Sequence, residues 1–240
     1  MKLMIDVLDV HTHTYASGHA YNTMREVIET AKIKHLDMIG IADHAPKMPG
    51  SCHDFHFMNL KAVPRDAYGI KLVLGVELNI MDYNGSVDLP DNILTTLDYA
   101  IASLHNPCIK PSTLEDNTAA IVGAIKNPAV VIVGHPDNPL YPVDFDAIAK
   151  AAKDHNVMLE LNNSSYRSNG YRTGSREKAA QMLAACKKYG TEVIMGSDAH
   201  IDVDVGNHSN SIEIAEQNNF PEELIINSDI ERFYKYLKMR

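Results

Sequence analysis

Seven histidines, one glutamate and one aspartate recur along this chain of 240 residues at the ends of short apolar runs. They are His11, His13, His19, His44, Glu77, His105, His135, Asp198 and His200. His11 and His13 alternate, so on a strand both side chains face the same way, roughly 7 Å apart. Asp198 and His200 repeat that spacing near the other end of the chain. Imidazole and carboxylate without thiolate form a donor set for zinc, manganese or iron, and argue against a cysteine-rich structural zinc site. These candidates exceed what one tetrahedral zinc takes. They suit three divalent ions, zinc first, with water or a bridging carboxylate filling the gaps. Adjacent ions lower the pKa of bound water and clamp the oxygens of an in-line displacement at phosphorus. The constellation therefore reads as hydrolytic, with phosphate esters as leading substrates and a metal-bridging hydroxide as the attacking group. We assign the catalytic role to Glu77 and Asp198.

Each residue alone has a plainer explanation. A strand-end histidine is ordinarily a hydrogen-bonded core residue, and a single Glu77 one half of an ion pair. Together they are harder to explain that way, because several uncompensated ionisable groups facing one cavity are costly to bury. Cations among them remove the cost.

The elements that must position these groups are βα units. Apolar runs rich in Val, Ile and Leu predict buried parallel strands at 5–10, 38–42, 72–76, 99–104, 130–133, 157–161 and 193–196. The repeat is about thirty residues, the length of a βα unit. Thr23 and Glu26 predict a capping box ahead of Met24, Val27, Ile28 and Ala31. Asp144 and Ser175 predict two further helix starts, and Gly190 a helix end. Helices are also predicted at 211–218 and 229–239, with a short strand at 224–227. An open sheet gathers its chemistry at one switch point. Here all but one of the predicted strands end in a ligand type, which only a closed ring brings to one centre. The fold is thus an α/β, distorted (β/α)7 TIM-like barrel, and residues 1–240 read as one domain. The strand ending at Asn162-Asn163 is free of ligands, and the polar loop 163–175 above it is where substrate contacts are expected.

Composition sets outer limits. The hydrophobic fraction of 45% supports a full core, and the net charge of −9 disfavours nucleic acid as a partner. Cys52, Cys108 and Cys186 are far apart and odd in number, which fits free thiols in a reducing cytoplasm. Asp6 and the lack of a sustained apolar stretch argue against a signal peptide. No run approaches the ~20 apolar residues of a membrane span.

Six ordered motifs resemble the PHP (polymerase and histidinol phosphatase) superfamily: His11-Thr12-His13, Ala42-Asp43-His44, Gly75-Val76-Glu77, Leu104-His105, Gly134-His135-Pro136 and Gly196-Ser197-Asp198-Ala199-His200. Segments 19–21, 53–57 and 159–165 are similar to the small stand-alone YcdX-like phosphatases of that superfamily. The resemblance implies the PHP fold, a trinuclear site, phosphatase activity on a small phosphorylated substrate, and allows a homotrimer. It also implies a division of ligands. One ion would use His11, His13, Glu77 and Asp198; a second would share Glu77 and add His105 and His135; the third would use His19, His44 and His200. The chain departs from its relatives at His35, where they often carry a helix-ending glycine.

Further candidates lie around the mouth. His53 and His56 are placed as substrate-binding residues or leaving-group proton donors, against a role in ordering their loop. Asn163 and Arg167 are placed as substrate contacts, with Arg172 and Arg176 as further guanidinium candidates for phosphate. Asp43 either holds a ligand imidazole or caps the next turn. His35, His155 and His208 read as structural, and the charges from Lys235 to Arg240 as a favourable helix end. Two other functions compete. An amidohydrolase-type hydrolase of C–N bonds also begins with HxH, but it normally has eight strands and often a lysine on the fourth. A non-catalytic metal-binding PHP module would have lost ligands, and none is missing.

Overall fold

The computed structural model describes residues 6–168, 170 and 172–238. Residue 5 of the predicted first strand, residues 169 and 171 of the polar loop, and residues 239–240 of the C-terminal helix and charge run lie outside the described residues. Seven parallel strands are hydrogen-bonded in chain order: β1 Leu8–Asp9, β2 Met38–Ile41, β3 Lys71–Asn79, β4 Tyr99–Ser103, β5 Val130–Val133, β6 Met158–Asn162 and β7 Val193–Gly196. The intervening helices are α1 Met24–Ile33, α2 Asp54–Asn59, α3 Asp91–Leu94, α4 Leu114–Ile125, α5 Phe145–Asp154, α6 Ser175–Tyr189, α7 Ser209–Gln217 and α8 Ile230–Lys238. The sheet curls into a nearly closed barrel. Among the described residues its last seam is joined by one bridge, Thr12 to Ala199, where His13 N donates to Ala199 O and Asp198 N to His11 O, each at 2.9 Å.

Strand alternation splits the apolar residues into two cores. On β3, Leu72, Leu74, Val76 and Leu78 face the outer helices, whereas Val73 joins the barrel interior. That interior is plugged at its lower end by Phe233 of α8, packed edge-on against Tyr99 at 5.9 Å between ring centroids. Tyr99 crosses the barrel and donates to Val10 O at 2.6 Å. A Cβ at Gly40 would collide with its hydroxyl, so β2 needs glycine there. With the lower end filled, the barrel interior opens at the C-terminal strand ends.

Most predicted elements stand, with instructive differences. Thr23 makes the full capping box with Glu26, and Asp144 caps α5. Ser175 is the first residue of α6 rather than its cap; Gly174, at φ 97°, holds the cap position. Gly190 ends α6 in the left-handed conformation. His35 also adopts positive φ (60°), the left-handed conformation that favours glycine after a helix end. β3 runs past Glu77 to Asn79, because its inward polar side chains find partners on β4: Ser103 Oγ donates to Glu77 Oε1 at 2.7 Å. Residues 224–227 form no strand. They lie in and between two 3-10 turns, Glu222–Leu224 and Ile226–Ser228, and meet β7 through a bridge from Val193 to Ile225 and through the Asn227 side chain.

Candidate metal centre

The nine ligand candidates converge at the open end of the barrel. His11, His13, His44, Glu77, His105, His135 and Asp198 are buried; His200 is half-buried and His19 exposed. Glu77 is the hub. Its carboxylate lies 3.5 Å from His11 Nε2, 3.6 Å from His13 Nε2, 2.6 Å from His44 Nδ1, 3.2 Å from His105 Nε2 and 3.1 Å from His135 Nε2. Asp198 Oδ1 is a second focus, 3.7 Å from His11 Nε2, 3.2 Å from His13 Nε2 and 3.4 Å from His200 Nδ1. His19 completes the outer side, its ring stacked 4.9 Å from His44 and 4.8 Å from His200. Among the described residues three sets have ligand atoms within 4.8 Å of one another: His11, His13 and Asp198; His44, Glu77 and His105; His13, His44 and His200.

The residues fit divalent cations. His11 Nε2, His13 Nε2, His44 Nδ1, His105 Nε2 and Glu77 Oε2 are buried without a hydrogen-bond partner. Leaving that many polar atoms unpaired is costly, and a shared cation satisfies them together. The opposite ring nitrogens are tethered from behind. His11 Nδ1 lies 2.6 Å from Glu160 Oε1, His13 Nδ1 3.0 Å from Ser17 Oγ, and His105 Nδ1 2.7 Å from Asn79 Oδ1. Such outer partners fix tautomer and ring direction, as around bound metals. Asp43 stands one step further back: its Oδ1 accepts from Ser17 Oγ and from Thr14 N, each at 2.7 Å. It thus orders the turn and supports His13 at once. Two of the ligand candidates sit in left-handed backbone, His135 at φ 41° and Asp198 at φ 52°. Non-glycine residues rarely adopt this conformation, and it clusters at functional sites.

Charge follows the geometry. Burial opposes ionisation of Glu77, but His44, His105 and His11 outweigh it and hold its carboxyl well below the usual range. Burial likewise opposes a charge on His11, yet Glu160, Glu77 and Asp198 lift its pKa well above the ordinary value. His13 and His135 go the other way, pushed down to about 3 chiefly by burial, with His200 and His44 adding for His13 and Arg172 for His135.

A cleft of about 640 Å³ opens over this cluster, walled by His19, Tyr21, Arg167, Arg172, Asp198 and His200. Arg172 reaches furthest in, with Nη1 3.0 Å from Ser165 Oγ and 3.4 Å from Asp198 Oδ2. Arg167 lies on the rim, paired with Asp204 at 2.8 Å. Three expected substrate contacts are placed elsewhere. Asn163 is fully buried and turned toward α7, its Oδ1 accepting from Asn210 N at 2.8 Å, because it serves the unpaired amides of that helix start. His53 caps α2, accepting from Phe55 N at 3.2 Å. His56 sits behind the cleft, its Nε2 3.4 Å from Asp43 Oδ2. Arg176 binds Asn210 and Glu213 on the surface.

β6 ends in no ligand candidate, yet its residues hold the candidates in place. Glu160 holds His11, and its Oε2 accepts from His135 N at 2.9 Å; Asn162 Nδ2 donates to Asp198 Oδ2 at 3.2 Å. Glu160 and Asn162 alternate, so the signal that could have found them was period two within the strand. Asp137 is a further buried carboxyl, pushed up to about 7 by burial and receiving the Tyr166 hydroxyl at 2.6 Å.

Residues 9–164 match the PHP domain family. A protein of Caldicellulosiruptor saccharolyticus named a probable phosphatase is 48% identical over 232 residues, covering 97% of this chain and 96% of the relative. A probable phosphatase of Clostridium novyi is 45% identical over 234 residues, covering 98% and 95%. The histidinol phosphate phosphatase of Lactococcus lactis, solved with zinc, L-histidinol and phosphate, superposes with a TM-score of 0.61 over 90% of this chain and 95% of that one. At 19% identity that likeness speaks to the fold. Coverage of both relatives is nearly complete, and the chain belongs to the PHP domain family.

Proposed function

We propose that the chain, as one PHP domain throughout, is a metal-dependent phosphatase that hydrolyses small phosphate monoesters at a centre of three divalent ions, zinc first, with manganese or iron as the other candidates. The observation that carries this reading is Glu77, a buried carboxylate on which one ring nitrogen of each of five imidazoles converges. His11, His13, Glu77 and Asp198 would hold one ion; Glu77, His105 and His135 a second; His19, His44 and His200 the third. Divalent ions bound there supply activation of water at neutral pH and neutralisation of phosphoryl charge.

The remaining work falls to the chain's own residues. Glu77 and Asp198 provide the fixed negative charge between the imidazole sets. Glu160, Ser17 and Asn79 orient the rings. Arg172, at the inner wall of the cleft, binds the phosphoryl oxygens, for which a guanidinium fork is well shaped. The left-handed backbone at His135 and Asp198 aims two ligands that a regular strand end would turn away. Among the described residues no helix is long and apolar enough to cross a membrane. The names of the relatives and the zinc and phosphate of the Lactococcus lactis structure support the reaction class. A homotrimer is a separate reading, checked by mass measurement in solution.

The test is removal and return of metal. Chelation abolishes turnover of a panel of phosphate monoesters, and added Zn²⁺ or Mn²⁺ restores it. A fully metallated protein inert on the whole panel contradicts the proposal.

A further inference from the structure

The barrel's closing seam has almost no strand ladder. β1 and β7 carry ligands on opposite banks, His11 and His13 on one and Asp198 and His200 on the other, yet the single bridge at Thr12 and Ala199 is the only backbone pairing between those banks among the described residues. Below it, side chains take the place of the ladder in two layers.

Asn227 fills the lower layer. Its Nδ2 donates to Leu8 O on β1 at 3.1 Å and to Met195 O on β7 at 3.0 Å, and its Oδ1 accepts from Met195 N at 2.7 Å. Its own carbonyl accepts from Val7 N at 2.9 Å. One buried amide thus bonds both strand edges, which explains why residues 224–227 form no strand.

Asp9 fills the middle layer. Ser197 Oγ donates to its Oδ2 at 2.5 Å and Ser197 N to its Oδ1 at 3.2 Å, so the residue before Asp198 is clasped to the residue two before His11. Gly206 N adds a bond to Oδ2 at 2.8 Å. Behind Asp9 lies His208, its side chain fully buried, with Nδ1 2.7 Å from Asp6 Oδ2 and Nε2 3.6 Å from Asp9 Oδ1. Burial disfavours a charged imidazole there, but Asp6 and Asp9 push the pKa up to about 10. A buried cation between two carboxylates anchors Asp9 from the side opposite Ser197.

We propose that Ser197, Asp9 and His208 form a clasp that sets the offset between β1 and β7, making Ser197 and His208 positioning residues for the metal centre. With the ladder reduced to the bridge at Thr12 and Ala199, the clasp and that bridge together set the span from His11 and His13 to Asp198. It also holds the backbone that enters the left-handed turn at Asp198. This inference rests on the reading that those residues bind metal, not on the phosphatase reaction.

The test compares Ser197→Ala, which removes one hydroxyl, and His208→Gln with a control, Thr191→Val. Thr191 is equally buried and loses a comparable bond, made to Ala149 O of α5 at 2.7 Å rather than across the β1–β7 seam. Zn²⁺ affinity is measured by competition with a chromophoric chelator, and melting temperature on the metal-free proteins. Loss of an outer partner of a ligand set typically costs about 10- to 100-fold in affinity. That loss is expected for Ser197→Ala and His208→Gln, whereas Thr191→Val lowers the melting temperature and keeps parental affinity. Seam variants that are merely less stable yet bind Zn²⁺ like the parent overturn the proposal, as does a parent that binds no Zn²⁺. Should His208→Gln fail to fold, Ser197→Ala alone decides. A parent that binds Zn²⁺ but hydrolyses no phosphate ester refutes the phosphatase reading and leaves the clasp standing.

Discussion

Glu160 Oε1 lies 2.6 Å from His11 Nδ1, and this contact turns the other ring nitrogen of His11 toward Glu77 and Asp198. A Cβ at Gly196 would collide with the same carboxylate oxygen and with His11 Cβ, so the close approach of β6, β7 and β1 depends on a glycine. Glu160→Ala is expected to reduce metal affinity or turnover by about 10- to 100-fold, the usual cost of losing an outer partner of a ligand. Glu160→Gln keeps an acceptor and loses less. Competition titration and steady-state kinetics on both variants check the order, and equal effects would refute it.

The two arginines of the cleft make an internal comparison. Arg172 reaches the inner wall, whereas Arg167 is held on the rim by Asp204. A hydrogen bond to a charged group contributes about 1.5–3 kcal/mol, or roughly ten- to hundredfold. Arg172→Ala is expected to lower kcat/KM by that much, and Arg167→Ala by only a few-fold. Kinetics on a phosphate monoester decide between them, and the reverse order would reassign the phosphate contact.

His208 gives the stability of the metal-free protein a particular pH dependence. Its folded pKa, about 10, exceeds the ordinary histidine value of about 6.5, so the folded state holds a proton that the unfolded chain has released. The stabilisation it provides is complete below about pH 6.5 and is lost as pH rises through about 10. Melting temperature measured from pH 7 to 10 should fall more steeply for the parent than for His208→Gln. Parallel curves would show that His208 does not carry the charge.

Phe233 plugs the barrel floor and is fully buried, far down the barrel from the ligands. Phe233→Ala is expected to cost about 3–5 kcal/mol of stability, the range for a buried aromatic truncated to alanine. Metal content at low temperature should stay at the parental level. Denaturant unfolding and elemental analysis check both halves, and loss of metal from a folded variant would contradict the separation of plug and site.

The sequence disclosed the candidate ligands because ligation leaves a mark that needs no third dimension. His11 and His13 alternate with period two, and imidazoles recur where apolar runs stop. The strands between them were legible for the same reason, and Thr23 with Glu26 announced α1. What stayed hidden depends on how the sheet curls. Glu160 and Asn79 look like ordinary polar residues inside strands until the barrel turns them toward His11 and His105. Asn163 looked like a mouth residue, but the 3-10 turn Asn163–Tyr166 directs it to α7. Asn227 sits in a short apolar run that reads as a strand, and only the missing β1–β7 ladder explains why it forms a turn instead.

Zn²⁺ titration of the chelator-stripped protein, followed at once by bound ions per chain and by hydrolysis of a phosphate monoester, tests the central claim most directly. The account predicts that turnover appears as the stoichiometry approaches three. A protein that fills its sites and hydrolyses no phosphate ester, or one that turns over fully with no ion bound, would contradict it.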